Sequence, residues 1–305
     1  MIKTVVFSLI SILFTIGLGY YAADRKAFND ADNQKLVKLI MRYALPLSIF
    51  AGLWATPRKT LVANVSLMVW LLIGMVGSFI ALIVFFKLVR HLDNNTTVLR
   101  ALSIAEPSIP FIGSALLPFL LSSHTSAITI GTAALITNVI MLPITLAMLS
   151  ANRGTSLKKR IINAVRQPLV YAAFAGFLLS LLNLKMPLAF TNIFMNLGKA
   201  AGGLAMFSIG ILLATHRIMA NWSVSLDVIT TNLLLPILFW VLMILFRTPT
   251  SIQDAVVIAL AIPTASLPAM LSVQYKTCES EIASVKFWST LSSFITIIFF
   301  LLLIK

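Results

Sequence analysis

Two stretches of this chain, ALSIAEPSIP (Ala101–Pro110) and ALAIPTASLP (Ala259–Pro268), agree at five of ten positions and begin 158 residues apart. Each places two prolines inside a long apolar segment. Proline lacks an amide hydrogen and clashes with the carbonyl four residues back, so a helix has to break there. In hydrocarbon, backbone that is not helical is tolerated only where protein buries it or where it lines a cavity. A matching pair of interrupted spans in the two halves of a chain marks a transporter's binding site. No other feature of the sequence narrows the possible folds as much.

The rest of the chain is that of an integral membrane protein. It has 305 residues, of which 59% are hydrophobic and 10% charged, and a mean hydropathy of +1.00; soluble domains carry about 25% charged residues. The longest polar gap runs from Ser150 to Gln167. A single cysteine, Cys278, excludes an internal disulfide framework and a multi-cysteine metal site. The net charge of +14 sits in short loops, which points to orientation and to anionic lipid headgroups rather than to nucleic acid. Lys3 and the apolar run Val5–Tyr21 resemble a signal peptide, but Asp24, Arg25 and Lys26 follow with no cleavage site, so this run reads as a retained first span.

A helix needs about 20 mainly apolar residues to cross the hydrocarbon core. Ten segments meet that requirement: 4–23, 35–54, 61–89, 98–122, 126–149, 168–184, 189–214, 222–246, 253–275 and 281–304. Five precede a basic connector and five follow it, which divides the chain into a first repeat (1–150), a cytoplasmic connector (151–167) and a second repeat (168–305). An odd number of spans per half forces the second half to run upside down relative to the first. The expected fold is all-α, with ten transmembrane helices in two inverted five-helix repeats and with broken crossing helices four and nine. If both termini lie outside, fifteen cations fall in inner loops and helix ends, Arg100, Lys276 and Lys286 among them, against six outside. That asymmetry predicts N-out and C-out.

A charge at the centre of a span costs roughly 2.5–3.5 kcal/mol, so such residues face an interior or a cavity. Glu106 is the deepest acid, beside Pro107 in span four. Three roles are open to it: a coupling-ion or proton site, a partner for a cation at the crossing, or a structural carboxylate capping the amides freed by the break. Arg42 in span two and Lys199 in span seven are 157 residues apart, near equivalent places in the two repeats. Two cations at one cavity would suit a substrate with two carboxylates. Alternatively Arg42 reaches out to the headgroups, and the small residues Ala200–Gly203 beside Lys199 serve helix packing. Ser108, Thr264, Ser266 and Asn138 cluster near the breaks and offer oriented hydrogen bonds, although such residues also occur at ordinary helix contacts. Asp227, nearer the end of span eight, reads as an interfacial or packing residue.

His91, His124 and His216 are scattered at helix ends and form no catalytic constellation. No phosphate-binding loop is present, which argues against ATP-driven transport by this chain alone. No enzyme activity, cofactor, metal or nucleic-acid partner is expected.

Four motifs carry a resemblance. RYALPLSIF (Arg42–Phe50), AEPSIPFIGSALL (Ala105–Leu117), TNVIMLP (Thr137–Pro143) and IPTASLPAMLSVQY (Ile262–Tyr275) resemble the second, fourth, fifth and ninth spans of the auxin efflux carrier family, bacterial branch. The likeness extends over essentially the whole chain. It implies substrate-lining or structural roles for Pro46, Asn138 and Pro263, and puts Pro107, Pro110 and Pro268 at the crossing. It also implies a scaffold of spans 1, 2, 6 and 7, through which a homodimer would form, and a mobile domain of spans 3–5 and 8–10. That domain would carry its substrate by an elevator movement. Bacterial relatives include carriers of malate, malonate and similar carboxylates, so the resemblance implies a small carboxylate substrate and a place in the bacterial cytoplasmic membrane. Many relatives have Asn where this chain has Arg42, and often a small residue where it has Glu106. The first departure favours a more anionic substrate. The second leaves the role of Glu106 to be argued from this chain alone. The alternatives are a sodium-coupled carrier of larger amphipathic anions and a receptor or scaffold that transports nothing.

Overall fold

The computed structural model describes residues 2–55, 57–58, 65–113, 116–117, 120–149, 162, 166, 168–184, 186–215 and 218–304. Among them the chain is all-helical, with no strand. Its helices are α1 (Ile2–Asp24), α2 (Asp30–Ala55), α3 (Val65–Leu88), α4 (Asn94–Ala105), α5 (123–149), α6 (Pro168–Leu181), α7 (Leu188–Thr215), α8 (Trp222–Leu245), α9 (Thr250–Leu260), α10 (Leu267–Tyr275) and α11 (Glu279–Leu303). The described residues of the ten apolar segments are mostly helical, with breaks inside 98–122 and 253–275. Among the described residues, five stretches are long and apolar enough to cross a membrane: α2, α3, Ile128–Leu149 of α5, α8 and α11. The connector 151–167 lies outside the described residues apart from Ile162 and Arg166.

Prolines leave a mark inside these long helices as well as breaking two of them. Helices α2, α5 and α8 each contain a π turn, at Ile40–Ala44, Ile136–Met141 and Thr230–Leu234. In each case a Leu-Pro pair follows at once: Pro46, Pro143 and Pro236. The residue four before each proline (Arg42, Val139, Asn232) lies within the π turn. A wider turn moves aside the carbonyl that the proline ring would strike, and it absorbs the missing hydrogen bond without a break. The π turn in α3, Ile73–Gly77, has no proline and contains Gly74 and Gly77 instead.

The helices pack in two groups. α1 lies along α7, α6 lies along α2, and α2 also meets α7. Glycines allow this closeness. A Cβ on Gly19 would strike the Phe207 carbonyl oxygen, and one on Gly210 the Ile16 carbonyl oxygen. Gly176 of α6 meets the backbone of Phe50 in α2 in the same way. Small residues at such contacts let backbones approach in a membrane, where burial of apolar surface gives little drive to associate. In the second group α3 packs on α4, α4 on α5, α8 on both α9 and α11, and α10 on α11.

Two cations counted at the inner membrane edge are not there. Arg100 is buried in α4, where its guanidinium forks onto Asp227 of α8 at 2.7–2.9 Å and lies over the Phe86 ring. Lys286 is 1% exposed, deep in α11. Removing both from the inner side leaves thirteen cations against six, so the asymmetry survives. Asp227 is a packing residue, as one of its two readings had it, and its contact is this ion pair.

A candidate substrate site at the crossing

The two double-proline segments meet. α4 ends at Ala105, Glu106 takes an extended conformation (φ −111°, ψ 90°), and helical structure resumes as a π turn at Ile109–Gly113. On the other side α9 ends at Leu260 and α10 begins at Leu267. Between these half-helices the backbones run antiparallel, with Pro107 opposite Thr264. The Ser108 amide donates to the Pro263 carbonyl at 2.9 Å, and the Ala265 amide to the Glu106 carbonyl at 2.8 Å. These two bonds exchange with one another at a separation of 157 residues, one fewer than the spacing at which the sequences match. The π turns Ile73–Gly77 and Thr230–Leu234 are also 157 apart.

The crossing is held from behind by a polar stripe on α11. Lys286, Ser289, Thr290 and Ser293 share one face of that helix and are all buried. The Lys286 ammonium donates to the Thr264 carbonyl at 2.6 Å and lies within electrostatic reach of Glu106. The Ser289 hydroxyl accepts from the Thr264 amide at 3.1 Å and donates to the Asn232 amide oxygen at 2.6 Å. The Asn232 side chain in turn donates to the Ser289 carbonyl at 2.7 Å. Asn232 lies in the π turn of α8. Lys286 and Asn232 were both missed as site residues at the level of sequence. The available signal was the 286, 289, 290, 293 spacing, one polar face in an otherwise apolar helix.

In front of the crossing is a cavity of about 430 Å³. The crossing contributes Glu106, Ser108 and Ser266, and α5 contributes Thr137 and Asn138. The opposite wall is α2 and α7, with Leu45, Ile49, Ala201 and Ala205. Both helix groups therefore line it. One Glu106 carboxylate oxygen (Oε2) and the hydroxyls of Ser108 and Thr137 are buried without a hydrogen-bond partner. Buried polar atoms are nearly always paired, so three such atoms around one cavity are acceptors and donors available to an occupant. The Asn138 side chain donates to the Ala134 carbonyl at 2.7 Å, and the Ser266 hydroxyl points to the Met206 sulfur at 3.5 Å.

The remaining expected site residues fall elsewhere. Thr264 is turned away from the cavity, with its hydroxyl donating to the Ser103 carbonyl and its backbone taken up by Ser289 and Lys286. Pro107 and Pro263 are buried in the paired backbone, and Pro268 is buried in the first turn of α10. Pro46 is buried in α2 beside the cavity wall. Pro110 lies in the π turn and Lys199 on α7, but the side chains of both lie outside what is described. Arg42 is exposed and lines a second cavity, with Lys35, Lys38 and Lys276. It sits inside the π turn of α2. The extra residue there turns the helix by about 100° relative to the α-helical register that sequence counting assumes. The amides of Ser108, Ile109, Thr264 and Ala265 are satisfied by groups other than the Glu106 carboxylate. Cys278, outside the spans, has its thiol pushed up to about 12, chiefly by burial, and takes no part in the site.

Comparison with known proteins identifies the family. The family described as "Membrane transport protein" matches residues 4–301. The chain is 28% identical over 236 residues to proteins named "Uncharacterized transporter YfdV" from Escherichia coli K12, Escherichia coli O157:H7 and Shigella flexneri. Each alignment covers 75% of this chain and 75% of the relative. A multi-pass helical chain, matched over nearly its whole length and carrying paired interrupted helices beside a cavity, belongs to the membrane transport protein (auxin efflux carrier) family.

Proposed function

We propose that this chain is a secondary carrier that moves a small carboxylate, with a dicarboxylate such as malate or malonate as the leading substrate, through the cavity at the crossing. The observation that carries the reading is the position of that cavity. Its walls come from both helix groups, and its floor is the one place among the described residues where two helices are interrupted together. In an elevator movement α3–α5 and α8–α11 would slide against α1, α2, α6 and α7 and carry the occupant with them. The separation of 157 residues, common to the crossing bonds and to two π turns, supports an inverted repeat of five and five spans. A bacterial cytoplasmic membrane and a dimer through the scaffold helices are part of the same reading.

The chemistry of the site supports an acid as substrate. The N-terminus of α10 opens toward the cavity at Ser266 and Leu267, and helix N-termini favour anions. The Lys286 amine donates to the Thr264 carbonyl behind the crossing. Glu106 beside an anion calls for a proton between them, so the carboxylate would travel with a proton, the carboxyl of Glu106 donating to it. A second reading has a specific observation in its favour: Leu45, Ile49, Leu53, Ile130, Leu267 and Met270 make most of the wall apolar. That suits a larger amphipathic anion.

Uptake of labelled malate into liposomes containing the purified protein tests the reading, with sodium and pH set independently on each side. Saturable uptake without sodium, accelerated by internal malate, is the expected result. No malate flux in sealed vesicles, with flux of a larger aromatic or amphipathic acid, would replace the substrate. Flux of neither would reject the carrier reading.

A further inference from the structure

Arg42 was sought at the substrate cavity and lies instead in the wall of another, of about 540 Å³. Lys35, Lys38 and Arg42 come from one face of α2, and Lys276 comes from the residue that caps α10. Gln34 and Gln274 add neutral donors, and among the described residues no acidic side chain is in the wall. Lys35 has a carboxylate partner, Asp32 at 3.5 Å. Lys38, Arg42 and Lys276 have none among the described residues. Lys276 at the end of α10 is suitably placed for the helix dipole, but Lys38 and Arg42 lie within α2, where the dipole gives no reason for them. Like charges gathered in one concave place repel, and a multivalent anion relieves that repulsion. The volume falls within the range of small-molecule sites.

We propose that this basic cavity binds a multivalent oxyanion, a phosphate group carried by a lipid headgroup or by a soluble metabolite, at a site separate from the crossing. Three cations without carboxylate partners call for a ligand with at least two negative charges. The planar fork of Arg42 matches phosphate oxygens, and the two lysines act as point charges beside it. α2 belongs to one helix group and α10 to the other, so the bound anion ties the groups together. Its effect on transport, a slowing of exchange, rests on the carrier reading above; the binding itself does not.

The test uses the full chain in phosphatidylcholine nanodiscs, titrated with inorganic pyrophosphate by calorimetry. Saturable binding is expected, weakened about tenfold by each of Lys38→Gln, Arg42→Gln and Lys276→Gln. Lys87→Gln, which removes an exposed cation at the end of α3, should leave it unchanged. A cardiolipin fraction in the disc, with two phosphodiester charges on each lipid, separates the two sources. Weaker pyrophosphate binding by the wild type there, but not by Arg42→Gln, identifies a lipid headgroup; unaltered binding identifies a soluble phosphate. Absence of saturable binding, or an equal loss in Lys87→Gln, overturns the proposal. Displacement of pyrophosphate by malate also overturns it, by putting the cavity on the substrate's route. Because binding is read without flux, failure of malate uptake would reject the carrier reading and leave this result standing.

Discussion

Replacing Lys286 with Met keeps the length and bulk of the side chain and removes its charge. The ammonium makes one hydrogen bond in the structure, to the Thr264 carbonyl at the centre of the crossing, and is the balancing charge for Glu106. A hydrogen bond to a charged group contributes about 1.5–3 kcal/mol. Removing one member of a buried charge pair costs about 3–5 kcal/mol, because the survivor is left uncompensated. The single substitution should therefore destabilise the fold by about 3–5 kcal/mol. Glu106→Gln alone should cost a comparable amount, since it strands the ammonium. Lys286→Met with Glu106→Gln should cost less than the sum by at least about 2 kcal/mol, leaving chiefly the lost bond to Thr264. Equilibrium unfolding of the four proteins in mixed dodecylmaltoside and dodecyl sulfate measures the cycle. Losses that add to within about 0.5 kcal/mol, the scatter of independent sites, would refute the compensation and make Lys286 a crossing brace with no electrical relation to Glu106.

Two further substitutions test how the crossing and its scaffold are held. Arg100→Gln should cost about 3–5 kcal/mol by leaving Asp227 unpaired in the interior, whereas Arg100→Met with Asp227→Leu should be close to neutral in the same unfolding assay. Gly210→Ala should cost about 1–3 kcal/mol, because its methyl would meet the Ile16 carbonyl, which cannot move without parting α1 from α7. Gly203→Ala in the same helix, with nothing near its added methyl, should be neutral or slightly stabilising, and the difference in melting temperature between these two variants checks the contact.

The crossing was legible in the sequence because proline acts locally. Pro107 and Pro263 lie in the two interruptions, Pro110 and Pro268 in the turns that resume after them, and Glu106, Ser108 and Ser266 were found by their nearness to this spacing. Arg42 was misplaced for a reason that is also local but leaves no mark in composition. The π turn that accommodates Pro46 rotates everything before it, and only the recurrence of Leu-Pro after each such turn gives a hint. Arg100 and Lys286 were assigned to the membrane edge because a cation a few residues inside a span looks the same whether it reaches outward or has a partner within. Their partners, Asp227 and the carbonyl of Thr264, are 127 and 22 residues away. Such pairing is a product of tertiary structure, and the sequence of either partner does not encode it alone.

The tie between the two interruptions is made by main-chain atoms, the amides of Ser108 and Ala265 and the carbonyls of Pro263 and Glu106. Main-chain bonds are indifferent to which side chains flank them. On the carrier reading, substitutions at 108 and 266 would therefore alter what the cavity recognises while the main-chain joint stays intact. On that reading a few replacements at the rim of the joint would change the cargo, and chains closely similar to this one need not share its substrate.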